Sequence, residues 1–174
     1  MHTNGQMTED NLRLVSVSPA HAIGEWRGHA LVDWQLRPSL ESARDLAQLM
    51  EQLTSLRPGR SCLLVRVGPQ AMLPEDAVRG ILVGVGRRVR GSLNCIGVTV
   101  EGSGFSAAAV RGVITGLALA VGQSFAMRSH ATLAEMNAWV RPRLLSARAD
   151  FGTDSEVLAA FSGMLAAVRS ASAT

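Results

Sequence analysis

The chain of 174 residues contains no lysine and no tyrosine, and all 17 basic side chains are arginine. A P-loop lysine, a Schiff-base lysine and a lysine general base are therefore excluded together. Aromatic residues make up only 4% and form no ladder on which bases could stack, which argues against nucleic acid. The net charge of +3 is modest. The arginine clusters Arg87, Arg88, Arg90 and Arg141, Arg143 fall at predicted helix ends, where positive charge suits the macrodipole. Only two cysteines are present, Cys62 and Cys95, both inside predicted strands and neither in a CxxC pair. They read as buried reduced thiols. The histidines His2, His21, His29 and His130 are scattered without ligand spacing, so no metal and no cofactor is expected. Long hydrophobic runs are also missing. The longest, Val113 to Val121, is far short of a bilayer span. Met1 to Asn11 lacks the apolar run of a signal peptide, so a cytoplasmic location is expected, with no membrane partner.

What the sequence does have is an order. Arg13 to Ser18 and Ala30 to Leu36 read as strands that pair antiparallel. Ser39 then caps a helix whose apolar residues Leu40, Ala43, Leu46, Ala47, Met50 and Leu53 follow a 3.6-residue period. Ser61 to Val67 is a buried-type strand, Pro74 to Arg90 a helix and Leu93 to Val100 another strand. A helix near Ser106 to Val121 and a short strand, Ser124 to Arg128, follow. Thr132 to Glu135 is a capping box that opens a helix through Trp139. A last helix over Asp154 to Arg169 carries an apolar stripe of Val157, Leu158, Phe161, Leu165 and Val168. The alternation predicts an α/β fold: a mixed, mostly parallel five-stranded sheet with helices packed on it, plus an extra C-terminal helix. Residues 1–11 are expected to be a flexible tail, 12–149 the folded domain and 150–174 a helical extension.

No catalytic constellation stands out. Gly84-Val85-Gly86 falls inside a helix, not at the strand-to-helix turn that a dinucleotide site needs. Ser103, His130 and Asp33 could be assembled into a triad only by geometry the sequence does not supply. Two loops are better placed. Gly102, Ser103, Gly104 and Ser106 lie in a glycine-rich stretch after a strand and before a helix, where free N–H groups could hold an anion or another ligand. Pro74, Glu75, Asp76 and Arg79 open the second helix at the end of a central strand, where open sheets expose a recognition surface. The helix-interior pairs Gly80/Gly84 and Gly112/Gly116 point to tight packing inside the fold, or to a contact between two copies of the chain in a homodimer.

The stretches ALVDWQLRPSLESARDLAQLMEQL, SCLLVRVGPQAMLPEDAVRGILVGV, LNCIGVTVEGSGFSAAAVRGVITGLAL and HATLAEMNAWV, in this order, resemble the STAS domain of bacterial anti-sigma-factor antagonists. The likeness is to the SpoIIAA-like branch, sometimes grouped with STAS/SEC14 domains, and it covers most of residues 12–145. It implies a non-enzymatic module for protein-protein interaction in bacterial signalling, with Pro74, Glu75, Asp76 and Arg79 meeting a protein partner. In that family an Asp-Ser-Ser-Gly-type string opens the matching helix and one serine is phosphorylated. Here the stretch is Glu75-Asp76-Ala77-Val78, with no hydroxyl. Asp76 or Glu75 would instead supply a permanent charge smaller than that of a phosphate. The SEC14 grouping implies an alternative: a small-molecule or lipid-binding domain that uses the apolar space between its helices.

Overall fold

The computed structural model describes residues 12–122 and 126–173, apart from the side chains of Phe105 and Ser106. The expected tail, residues 1–11, and Ser124, expected to open the last strand, lie outside these.

Six strands form one mixed sheet in sequential order. They are β1 (Leu12–Ser18), β2 (His21–Trp26), β3 (His29–Trp34), β4 (Ser61–Val67), β5 (Leu93–Val100) and β6 (Met127–His130). β2 lies antiparallel to both β1 and β3, while β3, β4, β5 and β6 run parallel. This corrects the expected mostly parallel, five-stranded sheet. The strand missing from that reading is β2, which separates β1 from β3, so the predicted pairing of the first and third strands does not occur. Its sequence, HAIGEW, is buried on both faces almost throughout and shows no alternation of polar and apolar residues. A two-residue turn at Arg27-Gly28, with φ of 51° and 81°, joins it to β3. That left-handed pair matches the twist of a hairpin, and glycine takes the second position without steric cost.

The helices are α1 (Leu40–Leu56), α2 (Asp76–Val89), α3 (Gly104–Val121), α4 (Leu133–Ser146) and α5 (Asp154–Ser172). Ser39 caps α1 as predicted: its Oγ accepts from Ser42 N at 3.1 Å, and Ser42 Oγ accepts from Ser39 N at 3.0 Å. The three crossovers β3-α1-β4, β4-α2-β5 and β5-α3-β6 step in one direction, and crossovers of a single hand then lay their helices on one face. α1 to α3 share a core there with Val32, Trp34, Leu63, Val65, Ile96 and Val98. The chain passes to the other face at Thr132, whose Oγ1 accepts from Glu135 N at 3.1 Å. α4 runs past Trp139 and through Pro142 to Ser146. It seats closely on the sheet because a Cβ on Gly97 would fall 2.7 Å from Met136 Cγ.

α5 covers the antiparallel end of the sheet on this second face. Val157, Ala160, Phe161, Met164 and Val168 are buried with Trp26, Leu31 and Leu64. Leu158, part of the expected stripe, is instead exposed. Arg27 at the hairpin turn reaches Glu156 at 2.5 Å and ties β2 to the start of α5. The result is three layers: three helices, the sheet and two helices.

Candidate functional site

α2 and α3 meet near their C-terminal ends. A Cβ on Gly86 would lie 2.7 Å from Val121 Cγ2, and Arg87 Nε donates to Ala120 O at 3.0 Å. Between that contact and the sheet lies a cavity of about 110 Å³. Its floor is Trp34, Leu63, Val65, Ile96 and Val98, and its roof includes Leu82, Val85, Val110 and Ile114. Beside α2 the wall is made by Ala71, Met72, Leu73 and Pro74, of which Met72 and Leu73 are exposed. The space is partly open to solvent.

Among the lining residues Trp34 alone carries a side-chain nitrogen or oxygen, and none is charged. Over the cavity α2 contributes Leu82, Val85 and Gly86, and α3 contributes Val110, Val113, Ile114, Leu117 and Val121, with no aromatic side chain among them. Side chains around such a space lack contact partners on that side, so a fitting apolar guest gains packing.

The two loops singled out from the sequence border this region. Pro74 is in the cavity wall. Glu75 is the N-cap of α2 without a side-chain capping bond, and its carboxylate meets Arg37 at 2.9 Å. Asp76 and Arg79 pair with each other on the exposed side of α2. Arg37 also approaches Met72 Sδ at 3.9 Å, so it ties the loop after β3 to the loop after β4. Gly102 and Ser103 line a smaller cleft of about 30 Å³ with Gly68, Pro69 and Glu101. Gly102 and Gly104 take φ of 89° and 84°. The cleft shares Ala71 and Val110 with the larger cavity, so the two predicted loops flank one region at the C-terminal ends of the parallel strands. The side chain of Ser106 lies outside the described part. Glu101 brings a carboxylate to the cleft, and the nearest cation, Arg66 at 3.9 Å, is bound to Asp33.

Sequence reasoning missed a polar row on the opposite face. Asp33, Arg66, Thr99 and His130 are successive register partners across β3, β4, β5 and β6. Arg66 grips Asp33 with two bonds, Nε to Oδ1 at 3.0 Å and Nη2 to Oδ2 at 2.5 Å, and its guanidinium lies 5.7 Å from the Phe161 ring. Asp33 also accepts from Gln35 Nε2 at 2.6 Å. The pair is read as structural, since both charges are buried and matched. Two strands separate Asp33 from His130, roughly 14 Å at about 4.8 Å per strand, so these residues form no triad with Ser103. Cys62 and Cys95 face each other across β4 and β5, free and fully buried. Burial pushes the Cys62 thiol well above its ordinary range, and its bond with Cys95 adds to the shift. It is a thiol in the core, not a nucleophile.

Helix glycines behave differently from expectation. Gly80, Gly112 and Gly116 have no heavy atom within 4 Å of a built Cβ, and Gly84 meets only the flexible end of Arg88. Tight internal packing does not explain them. The close approach belongs to Gly86.

Among the described residues no helix is long and apolar enough to cross a membrane. Compared with protein-family models and with curated proteins, the chain matches none.

Proposed function

We propose that this chain is a non-enzymatic binding domain that takes a small apolar molecule into the space between its sheet and helices α1 to α3. One observation carries the reading: a cavity of about 110 Å³ lined almost wholly by aliphatic side chains and methionine, with no charged residue among them. A ligand there would recover packing that the empty fold forgoes. Met72 and Leu73 line the space and are exposed in the loop after β4, so a route past them leaves the sheet intact. The order of elements after β3 supports a likeness to the STAS/SEC14 grouping, with β2 as a departure. Val110 faces the cavity from α3 and is only partly buried, so a larger side chain there fills space without disturbing the sheet. Val110→Phe is expected to abolish binding of benzene, followed by methyl chemical shifts, with an unchanged or raised melting temperature. Benzene binding that survives in the variant contradicts the assignment.

A second reading, a STAS-like surface for a protein partner in bacterial signalling, is favoured by a separate observation. Leu36, Leu40, Met72 and Leu73 are exposed around the Arg37–Glu75 ion pair, beside Asp76 and Arg79. Apolar residues rimmed by charges suit a docking surface. Under this reading Asp76→Ser changes the affinity for a co-purifying protein and leaves benzene binding untouched. Equal affinity of both forms for that protein counts against it.

A further inference from the structure

We infer that His29 is a proton-operated latch, which holds helix α5 on the sheet while the ring is neutral and releases it when the ring is protonated. The latch is independent of the cavity on the other face. His29 is the first residue of β3, is 1% exposed and contacts the connection between α4 and α5. Phe151 of that connection meets the ring edge-on with centroids 5.6 Å apart, and the Trp26 ring lies at 6.4 Å. Two hydrogen bonds fix the imidazole. Cys62 N of β4 donates to Nδ1 at 3.3 Å, and Nε2 lies 2.6 Å from Asp150 O. Both partners are one-way: a backbone N–H only donates and a carbonyl only accepts. Nδ1 therefore carries the lone pair and Nε2 the proton, so the ring bridges β4 to the segment leading into α5 as one neutral tautomer. A second proton has only Nδ1 to go to, where its N–H would face that of Cys62.

The charged groups acting on the ring are Arg57 at the end of α1 and Asp150 before α5. Arg27 of the hairpin turn engages Asp150 at 3.5 Å and Glu156 of α5 at 2.5 Å, and the Cys62 thiol on β4 is kept protonated by its burial. Burial pushes His29 below the ordinary histidine value of 6.5, outweighing the bond to Asp150 O and the Asp150 charge. Once released, the ring takes a proton near about 6.5. The latch is thus fully closed above that pH and weakens as pH falls below it. The capping box of α5 survives this window, because bonds from Thr153 hold the Glu156 carboxyl below its ordinary 4.5. The other described histidines lack such a device. His21 meets the hydroxyls of Ser16 and Ser18 at 3.0 and 2.9 Å, and hydroxyls donate or accept, so that ring keeps both bonds in either state. His130 is on β6 against Trp139 of α4. What acid uncovers is the apolar face of Trp26, Leu31 and Phe161.

Amide hydrogen exchange on the full-length protein between about pH 7.5 and about pH 5 tests the latch. Protection of the α5 amides, corrected for intrinsic rates, is expected to fall by up to about tenfold per pH unit below about 6.5, the dependence of one proton taken up on opening. β4 and β5 should keep theirs. In His29→Gln, whose amide does not titrate, α5 protection should stay flat over this range. Unchanged α5 protection in the unaltered protein, or an equal loss in the variant, overturns the inference. The ¹⁵N shifts of the imidazole in the unaltered protein decide the matter even where the variant fails to fold. Nε2 should carry the proton at the upper pH, and the Cys62 amide signal should move as His29 titrates. A proton on Nδ1 at the upper pH, or a Cys62 amide that ignores the titration, overturns it equally.

Discussion

Trp34 and Arg66 lie near each other at the ends of β3 and β4 but on opposite faces of the sheet, and each defines the chemistry of its side. Trp34 lines the apolar cavity, while Arg66 satisfies itself on Asp33 and packs on Phe161. The pair Asp33–Arg66 is buried, at 0% and 7% exposure, so removing one partner strands a charge away from water. Arg66→Met is expected to lower unfolding stability by about 3–5 kcal/mol in urea titrations. The double variant Asp33→Leu, Arg66→Met should be more stable than either single change. Additive losses would contradict a coupled pair. A charge inside the otherwise apolar strand SCLLVRV was visible in the sequence. Its partner was not, because Asp33 is 33 residues away and only the parallel register of β3 and β4 brings them together.

Helices α2 and α3, which roof the cavity, carry the interior glycines. Because Gly80, Gly112 and Gly116 face open space, nothing obstructs a methyl group there. Alanine at each should raise stability by about 0.4–1 kcal/mol through the unfolded chain and helix propensity. Urea midpoints will show this, and a loss of stability would reveal a hidden close neighbour. Most elements were legible: Ser39 and Thr132 begin helices because their side chains satisfy free N–H groups, and that chemistry is local. β2 was illegible for the opposite reason. Its residues are buried on both faces and Gly24 interrupts it, so neither periodicity nor propensity marks it. α4 was read only through Trp139, although the helix runs on through Pro142 to Ser146.

At the scale of the molecule, the two sides of the sheet are packed unequally. Trp26, Phe161, Met136, Leu144 and Met164 fill the side covered by α4 and α5, whereas the aliphatic side chains of α2 and α3 leave space on the other. Sequence patterns tell which face a residue takes but not whether the facing volumes add up. The loops around Pro74 and Gly102 could therefore be chosen from their positions, while the cavity between them could not. The central claim is that this space accepts an apolar guest. A crystal of the full chain under xenon pressure tests it most directly. The account predicts a xenon atom among Val65, Val85, Ile114 and Val98 and none beneath α4 and α5. A cavity site filled by repacked side chains, with no xenon in it, would contradict the account.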